Sequence, residues 1–211
     1  MVTGRTVIDF SASPIEFHLF AICDFVQKIT ILKVNDGSLK ELEKWKNKDP
    51  DACDWSHATE FLQELNKNSD ELENKVETLR GKIDQIWKWD PSKCDLADVL
   101  SVPEADIVIN YVILEIISKN HDEYRCNLRK MCNVIKPGGY FLSYSPSNAS
   151  YFNVGEDRFY MLPCDESFLR KVISDEDFQI EHFQMFDKRM CSDISDHVGV
   201  MFIIARKGKK L

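Results

Sequence analysis

Arg5-Thr6-Val7-Ile8-Asp9-Phe10, followed at once by Ser11-Ala12-Ser13-Pro14, is the stretch on which the fold turns. The first six residues form a short β-branched run closed by a polar turn, which is how a strand reads. Ser13 before Pro14 supplies an N-cap with proline at the first helical position, so a helix is expected from about Pro14 to Val26. Downstream, Lys28 to Leu32 (KITIL) reads as a second strand, Asn35-Asp36-Gly37-Ser38 as a turn and cap, and Leu39 to Lys46 as a second helix. Two βα units in succession favour a parallel sheet, because a parallel return needs a crossover.

The charged span from His57 to Lys82 places Phe61, Leu62, Leu65, Leu72, Val76, Leu79 and Ile83 at spacings of three and four. It reads as a helical insertion over 57–83, between the second and third strands, packed on the sheet. Asp84 to Trp89 and Ala105 to Tyr111 are the expected third and fourth strands, with a helix over Asp122 to Ile135. Lys136-Pro137-Gly138-Gly139 is expected to force a tight turn into a fifth strand, Tyr140 to Tyr144. A helix near Asp165 to Ile173 precedes two last strands, Phe178 to Phe186 and His197 to Ala205. The former mixes polar with apolar residues and suits an edge, whereas Val198 to Ala205 is nearly all apolar and suits the middle. The expected architecture is α/β: a doubly wound, mostly parallel seven-stranded sheet with a C-terminal antiparallel hairpin, in one domain over 1–211.

Composition narrows the function. The 211 residues carry 27 Lys and Arg against 35 Asp and Glu, a net charge of −8, which would repel a phosphate backbone or an anionic membrane. The basic Arg206-Lys207-Gly208-Lys209-Lys210 reads as a solvated tail. No apolar run approaches the ~18 residues of a membrane span, and Asp9 interrupts any signal-like stretch, so a cytoplasmic protein is expected. The seven cysteines are odd in number and form no C-x-x-C, so they read as reduced thiols and not as a disulfide framework or zinc site. No G-x-S-x-G, H-E-x-x-H, Walker loop or G-x-G-x-x-G is present, which argues against hydrolase, zinc-protease, triphosphatase and dinucleotide-oxidoreductase chemistry. The five histidines lack partners at ligand or triad spacing and read as structural or exposed, and no metal is expected.

In a doubly wound sheet a ligand sits beyond the carboxyl ends of the strands, so the informative residues follow each strand. Several stretches there, taken in order, carry a resemblance: Val7-Ile8-Asp9 through Pro14; Leu42-Glu43-Lys44-Trp45 with Asp54-Trp55-Ser56; Lys88-Trp89-Asp90; Tyr124 to Gly139; Tyr151-Phe152-x-x-Gly155-Glu156; and Glu181-His182-Phe183. Over nearly its whole length the chain resembles the nicotinamide, phenylethanolamine and indolethylamine N-methyltransferases, of the class I methyltransferase fold. The resemblance implies transfer of a methyl group from S-adenosyl-L-methionine to the nitrogen of a small amine or N-heterocycle. A non-catalytic scaffold that keeps the fold is the alternative.

The resemblance also implies roles. Asp9, Ser11 and Ala12 fall in the loop that meets the methionine end of the cofactor, where the family reads Asp-Ile-Gly-Ser-Gly-Pro and this chain has lost both glycines. Lys33 occupies the position of the ribose-binding acid, and Asn35 or Asp36, just beyond it, is the expected substitute acceptor. Asp90 with Pro91 matches the adenine side, Phe17 stands where the family has a tyrosine near the cofactor, and Tyr111 ends the fourth strand beside it. Asp196 falls near a position that holds the substrate amine, with Glu115 a second catalytic candidate. Ser145 aligns with a substrate-facing acid, and Tyr151 and Phe152 are expected to wall the substrate pocket. The family's N-terminal helices, which close over the cofactor, precede its first strand; here that strand starts after only four residues, so no such lid is expected.

Overall fold

The computed structural model describes residues 5–14, 16–54, 70–92, 104–187 and 194–209. Seven strands form one sheet, in chain order β1 (Thr6–Ser11), β2 (Lys28–Lys33), β3 (Ile83–Lys88), β4 (Ala105–Tyr111), β5 (Ile135–Ser147), β8 (Phe178–Asp187) and β9 (Gly199–Lys207). They lie in the spatial order β3-β2-β1-β4-β5-β9-β8, with β6 (Tyr151–Val154) and β7 (Asp157–Tyr160) forming a separate hairpin. β1 runs parallel to β2 and β4, β2 to β3, and β4 to β5, while β9 is antiparallel to both β5 and β8. The apolar last strand is therefore central and the mixed one is the edge, as their side-chain patterns require.

Alternation along β1 divides the core between two faces. Ile8 and Phe10 pack with Tyr124, Leu128 and Met131 of α4 (His121–Asn133) and with Leu169, Val172 and Ile173 of α5 (Glu166–Asp175). Val7 faces the opposite layer, where Leu42 of α1 (Asp36–Lys46) and Leu79 of α2 (Asp70–Lys82) meet Ile29, Ile31 and Ile107. A short helix α3 (Ile113–Ile117) follows β4. Asn35 caps α1, its side chain accepting from the Ser38 amide at 2.7 Å. Residues 57–69 of the expected helical insertion lie outside the described residues.

Three expectations are corrected and one element is added. The helix over Pro14 to Val26 is two 3-10 turns, Phe17–Ala21 and Cys23–Phe25. The carbonyl of Ser13, which as an N-cap should accept the first intrahelical bond, accepts from Lys33 Nζ instead. The Lys136 to Gly139 turn is part of β5, which already begins at Ile135. Gly138 takes φ +80°, and a Cβ on Gly139 would stand 2.9 Å from the Asp106 carbonyl, so the glycines serve an irregularity in the β4–β5 register. The hairpin of β6 and β7 is an addition, its turn at Gly155 with φ +61°. Finally, Arg206 and Lys207 belong to β9 and not to a tail: Lys207 Nζ donates to the carbonyls of Cys132 (2.7 Å) and Ile135 (2.8 Å), a cation at the C-terminal end of α4.

Candidate functional site

Strand order reverses between β1 and β4, which is where a doubly wound sheet opens a ligand crevice. Asp9, Lys33 and Tyr111 come together there because β1, β2 and β4 end in register, with Phe10 opposite both Leu32 and Asn110. Beyond Phe10 the chain stays against β4: Ser11 makes an antiparallel bridge to Val112, and the Ala12 amide donates to the Tyr111 carbonyl at 3.4 Å.

The strand ends carry a buried knot of charge. Lys33 is fully buried, and its ammonium donates to Ser11 Oγ (2.5 Å), to the Ser13 carbonyl (2.5 Å) and to the carboxylate of Glu16, using its three N–H groups. Ser11 Oγ in turn donates to Glu16, at 2.9 and 3.0 Å to its two oxygens. Alongside, His18 Nε2 donates to Asp9 Oδ1 at 2.7 Å. Burial works to raise the Asp9 carboxyl, but the charge and hydrogen bond of His18, with Lys33 behind, hold it below the usual range. Burial works to lower the His18 imidazole, and Asp9 prevails and raises it. Glu16 is pushed up to about 7 by burial, with Lys33 pulling the other way. Asp9, Glu16 and His18 bring one ligand atom each within 4.8 Å of one another, a geometry that suits a metal ion, but the Lys33 ammonium already supplies the cation.

An aromatic shelf borders this knot. His18 stacks on Tyr111 with centroids 4.4 Å apart, Tyr111 stacks on Tyr144 at 4.8 Å, and Phe17, 38% exposed, meets Tyr111 edge-on at 5.6 Å. Burial raises the Tyr111 phenol well above its ordinary value. Beneath His18, a cavity of about 150 Å³ is walled by Ile22, Tyr111, Leu142, Tyr144 and Phe202.

The remaining expected site residues are spread more widely. Asp36 is exposed in the first turn of α1 and paired with Lys88 at 2.7 Å, the cause of its lowered pKa. Asp90 is exposed past β3 and accepts from the Ser92 amide (3.0 Å) and hydroxyl (2.6 Å), while the Pro91 carbonyl accepts from Lys130 at 2.6 Å. Glu115 and Ser145, expected to face substrate, are fully buried against each other. The Ser145 hydroxyl donates to Glu115, Tyr124 adds a bond at 3.3 Å, and burial raises the Glu115 carboxyl. Asp196 is exposed and ties down the start of the β6–β7 hairpin, accepting from the Ser150 amide (2.7 Å), its hydroxyl (2.5 Å) and the Tyr151 amide (3.3 Å). Burial tends to raise its carboxyl, but these donors hold it below the usual range. Arg158 lies 3.8 Å over the Tyr151 ring, and Phe152 stacks on Phe159.

Sequence reasoning passed over Glu16 and took His18 for a structural or exposed residue. A signal was available: Lys33 directly follows the mostly apolar run Ile29 to Leu32 in the sheet interior, and a buried ammonium demands a carboxylate, for which Glu16 is the nearest uncommitted acid after β1.

One backbone strain marks the same place. Val112, β-branched, takes φ +65° between β4 and α3, with its amide donating to the Tyr144 carbonyl at 3.0 Å and Asn110 Oδ1 accepting from the Leu114 amide. By contrast, Ser11, Ala12 and Ser13 are absent from the residues at positive φ, so the loop that replaced its glycines follows a path that L-residues accept.

A sheet in this order with polar chemistry gathered at its switch point defines the class I S-adenosylmethionine-dependent methyltransferase fold. Solved structures agree in fold. A methyltransferase from Methanosarcina mazei matches with TM-score 0.66 at 14% identity, covering 100% of this chain and 95% of that one. The N-methyltransferase NodS from Bradyrhizobium japonicum, solved with S-adenosyl-L-homocysteine, matches with TM-score 0.58 at 10% identity, covering 97% and 79%. Sequence comparison goes further. Residues 1–208 match the model of the NNMT/PNMT/TEMT family, and the chain belongs to that family of S-adenosylmethionine-dependent N-methyltransferases. It is 28% identical to human nicotinamide N-methyltransferase over 206 residues and 29% identical to indolethylamine N-methyltransferase of Oryctolagus cuniculus over 204, covering 98% and 97% of this chain and 78% of each relative. Phenylethanolamine N-methyltransferase of Mus musculus is 22% identical over 211 residues, covering 98% and 71%.

The residues present fit a sulfonium cofactor. Asp9 Oδ2 is a buried acceptor with no donor among the described residues, and Phe17, 38% exposed, offers an aromatic ring suited to a sulfonium cation, whereas the faces of Tyr111 are taken by His18 and Tyr144. An acceptor for the ribose hydroxyls is not offered by Lys33, which turns its charge inward to Glu16.

Proposed function

We propose that the chain methylates the nitrogen of a small amine or pyridine-type substrate, with S-adenosyl-L-methionine as the methyl donor. The observation that carries this reading is the joining of a family match over residues 1–208 to an acid and aromatic cluster at the β1/β4 switch point. The cofactor supplies an electrophilic methyl group on a cationic sulfur. In this reading Asp9 and the Ser11 to Ser13 loop hold its amino-acid end, Phe17 stands beside the cofactor, and Asp90 with Pro91 and Tyr111 receives the adenosine.

Asp196, at the base of the β6–β7 hairpin, receives the substrate amine, since an ionised carboxylate suits a cationic or polarised nitrogen, and Tyr151, whose amide it holds, walls the pocket. Methyl transfer is an in-line displacement, so these residues act by alignment and charge complementarity. The chain's net acidity makes nucleic acid an unsuitable partner. No helix among the described residues is long and apolar enough to cross a membrane, and the buried free thiols of Cys23, Cys132 and Cys164 suit a reducing cytoplasm.

Calorimetric titration with S-adenosyl-L-homocysteine, followed by a radiolabelled methyl-transfer assay on a panel of primary amines and pyridines, tests the proposal. Micromolar binding with transfer to at least one nitrogen is expected. Silence at millimolar ligand would overturn it.

A further inference from the structure

Losing both glycines should have deprived the loop after β1 of its shape, yet Ser11, Ala12 and Ser13 sit outside the left-handed region. Something other than glycine freedom must therefore set the loop's path. Only one side chain from another element reaches into it among the described contacts: Lys33, from the end of β2, whose ammonium holds both Ser11 Oγ and the Ser13 carbonyl at 2.5 Å. Those two bonds clamp the loop at its first and third residues. The third bond of the ammonium goes to Glu16, which follows the loop and also takes the Ser11 hydroxyl, so the loop is gripped from both ends by one buried pair.

Chemistry makes the pair asymmetric. A carbonyl only accepts, so a donor must stand at 33, and a carboxylate there has no proton to offer Ser13 at neutral pH. The buried charge of that donor in turn requires an acid at 16. We propose that Lys33 and Glu16 form a positioning pair that takes over the work of the missing glycines, holding the Ser11 to Pro14 loop at the crevice in the conformation that receives the amino-acid end of the cofactor. Lys33 at the place of a ribose-binding acid is then a relocated function and not a loss: the residue shapes the neighbouring loop in place of contacting the ribose. The cofactor half of this inference rests on the methyltransferase reading; the bracing half does not.

Three variants and two readouts test it: Lys33→Met, Lys33→Arg and the charge-swapped Lys33→Glu/Glu16→Lys, each measured by S-adenosyl-L-homocysteine calorimetry and by amide hydrogen exchange over the peptide 9–13. Lys33→Met is expected to bind at least tenfold more weakly and to exchange at least tenfold faster in that peptide. Lys33→Arg, which still donates, should recover affinity to within about fivefold of wild type. The swapped pair is the discriminating case. It restores the ion pair, and with it the melting temperature, but leaves the Ser13 carbonyl without its donor, so affinity and exchange should stay as poor as in Lys33→Met. Full recovery by the swap would reduce the pair to a structural ion pair and overturn the proposal, as would a folded Lys33→Met protein with wild-type exchange. If Lys33→Met does not fold, Lys33→Met/Glu16→Gln, which removes the donor without stranding a buried carboxylate, takes its place, and accelerated exchange with lowered affinity relative to Lys33→Arg is then the expected result, equality with Lys33→Arg the overturning one. A wild-type protein that ignores the ligand would refute the cofactor reading, and the exchange comparison would still decide the bracing.

Discussion

The imidazole of His18 lies flat on the phenol of Tyr111, 8° from parallel, with its Nε2 bonded to the buried carboxylate of Asp9. One residue thereby links the end of β1 to the end of β4 across the switch point. Its position also gives the protein a pH-dependent stability whose sign can be worked out.

Asp9 is lowered from 3.8, so its share of stability is present above pH 3.8 and is lost as the pH falls through its folded value. His18 is raised from 6.5, so its share is complete below pH 6.5 and is lost as the pH climbs through its folded value. Glu16 works in the same direction as His18: the folded state holds its proton up to about pH 7 against 4.5 when unfolded, and stability declines across that interval. The melting temperature is expected to fall as the pH is raised from 5 to 8, the unfolding free energy declining by at most about 1.4 kcal/mol per pH unit for each proton involved. Glu16→Gln should make that decline shallower. Thermal melts of both proteins at four pH values check this, and a wild-type profile that rises or stays level over the interval would refute it.

Val112 holds φ +65° with a β-branched side chain, a conformation that Asn accepts more readily. Val112→Asn is expected to stabilise the protein by about 1 kcal/mol, since the strain relieved is of that order. Urea denaturation of the variant measures it. A net loss of stability would mean that packing of the valine methyls outweighs the strain.

Glu115 separates a catalytic from a structural role cleanly, because it is fully buried and its carboxyl is raised by that burial. Glu115→Gln keeps the shape and the hydrogen bonds, so stability within about 1 kcal/mol of wild type and turnover within a few-fold are expected. Glu115→Ala strands Ser145 and Tyr124 and opens a void, for a loss of about 2 to 4 kcal/mol. A glutamine variant with an unchanged melting temperature but no turnover would make Glu115 the base after all.

Asp196 predicts a split between the two substrates. On the proposed reading of Asp196 as the contact of the substrate amine, Asp196→Asn should raise the KM for the amine at least tenfold, while the KM for the methyl donor stays within about twofold, because the carboxylate holds the Ser150 and Tyr151 amides and none of the proposed cofactor residues. Initial rates with each substrate varied in turn provide the test. Equal effects on both would point to a general displacement of the β6–β7 hairpin.

Most of the architecture was legible because apolar periodicity reports burial directly. The two-sided apolar pattern of β9 fixed its central place and the mixed pattern of β8 fixed the edge, and Asn35 announced a cap it does form. The first helix failed for a physical reason: Ser13 and Pro14 carry a genuine helix-start signal, but the Ser13 carbonyl is taken by an ammonium from a strand 20 residues away in sequence. The glycines of 138–139 read as a turn because a positive φ looks alike in a turn and in a strand irregularity.

The same division runs through the candidate site. Asp9, Phe17 and Tyr111 were expected from the resemblance, and the structure brings them together because the ends of adjacent parallel strands converge. What Glu16, His18 and Lys33 do was not readable, because a charge's partner is whichever group lies within a few ångströms in space, and spacing along the chain carries no record of that. The amino-acid sequence alone determined the fold class, the places of the last two strands and the family; the tertiary structure alone decided that a lysine in an acid's place turns inward to grip the loop beside it, since only the folded sheet brings residues 11, 13, 16 and 33 to one point shielded from water.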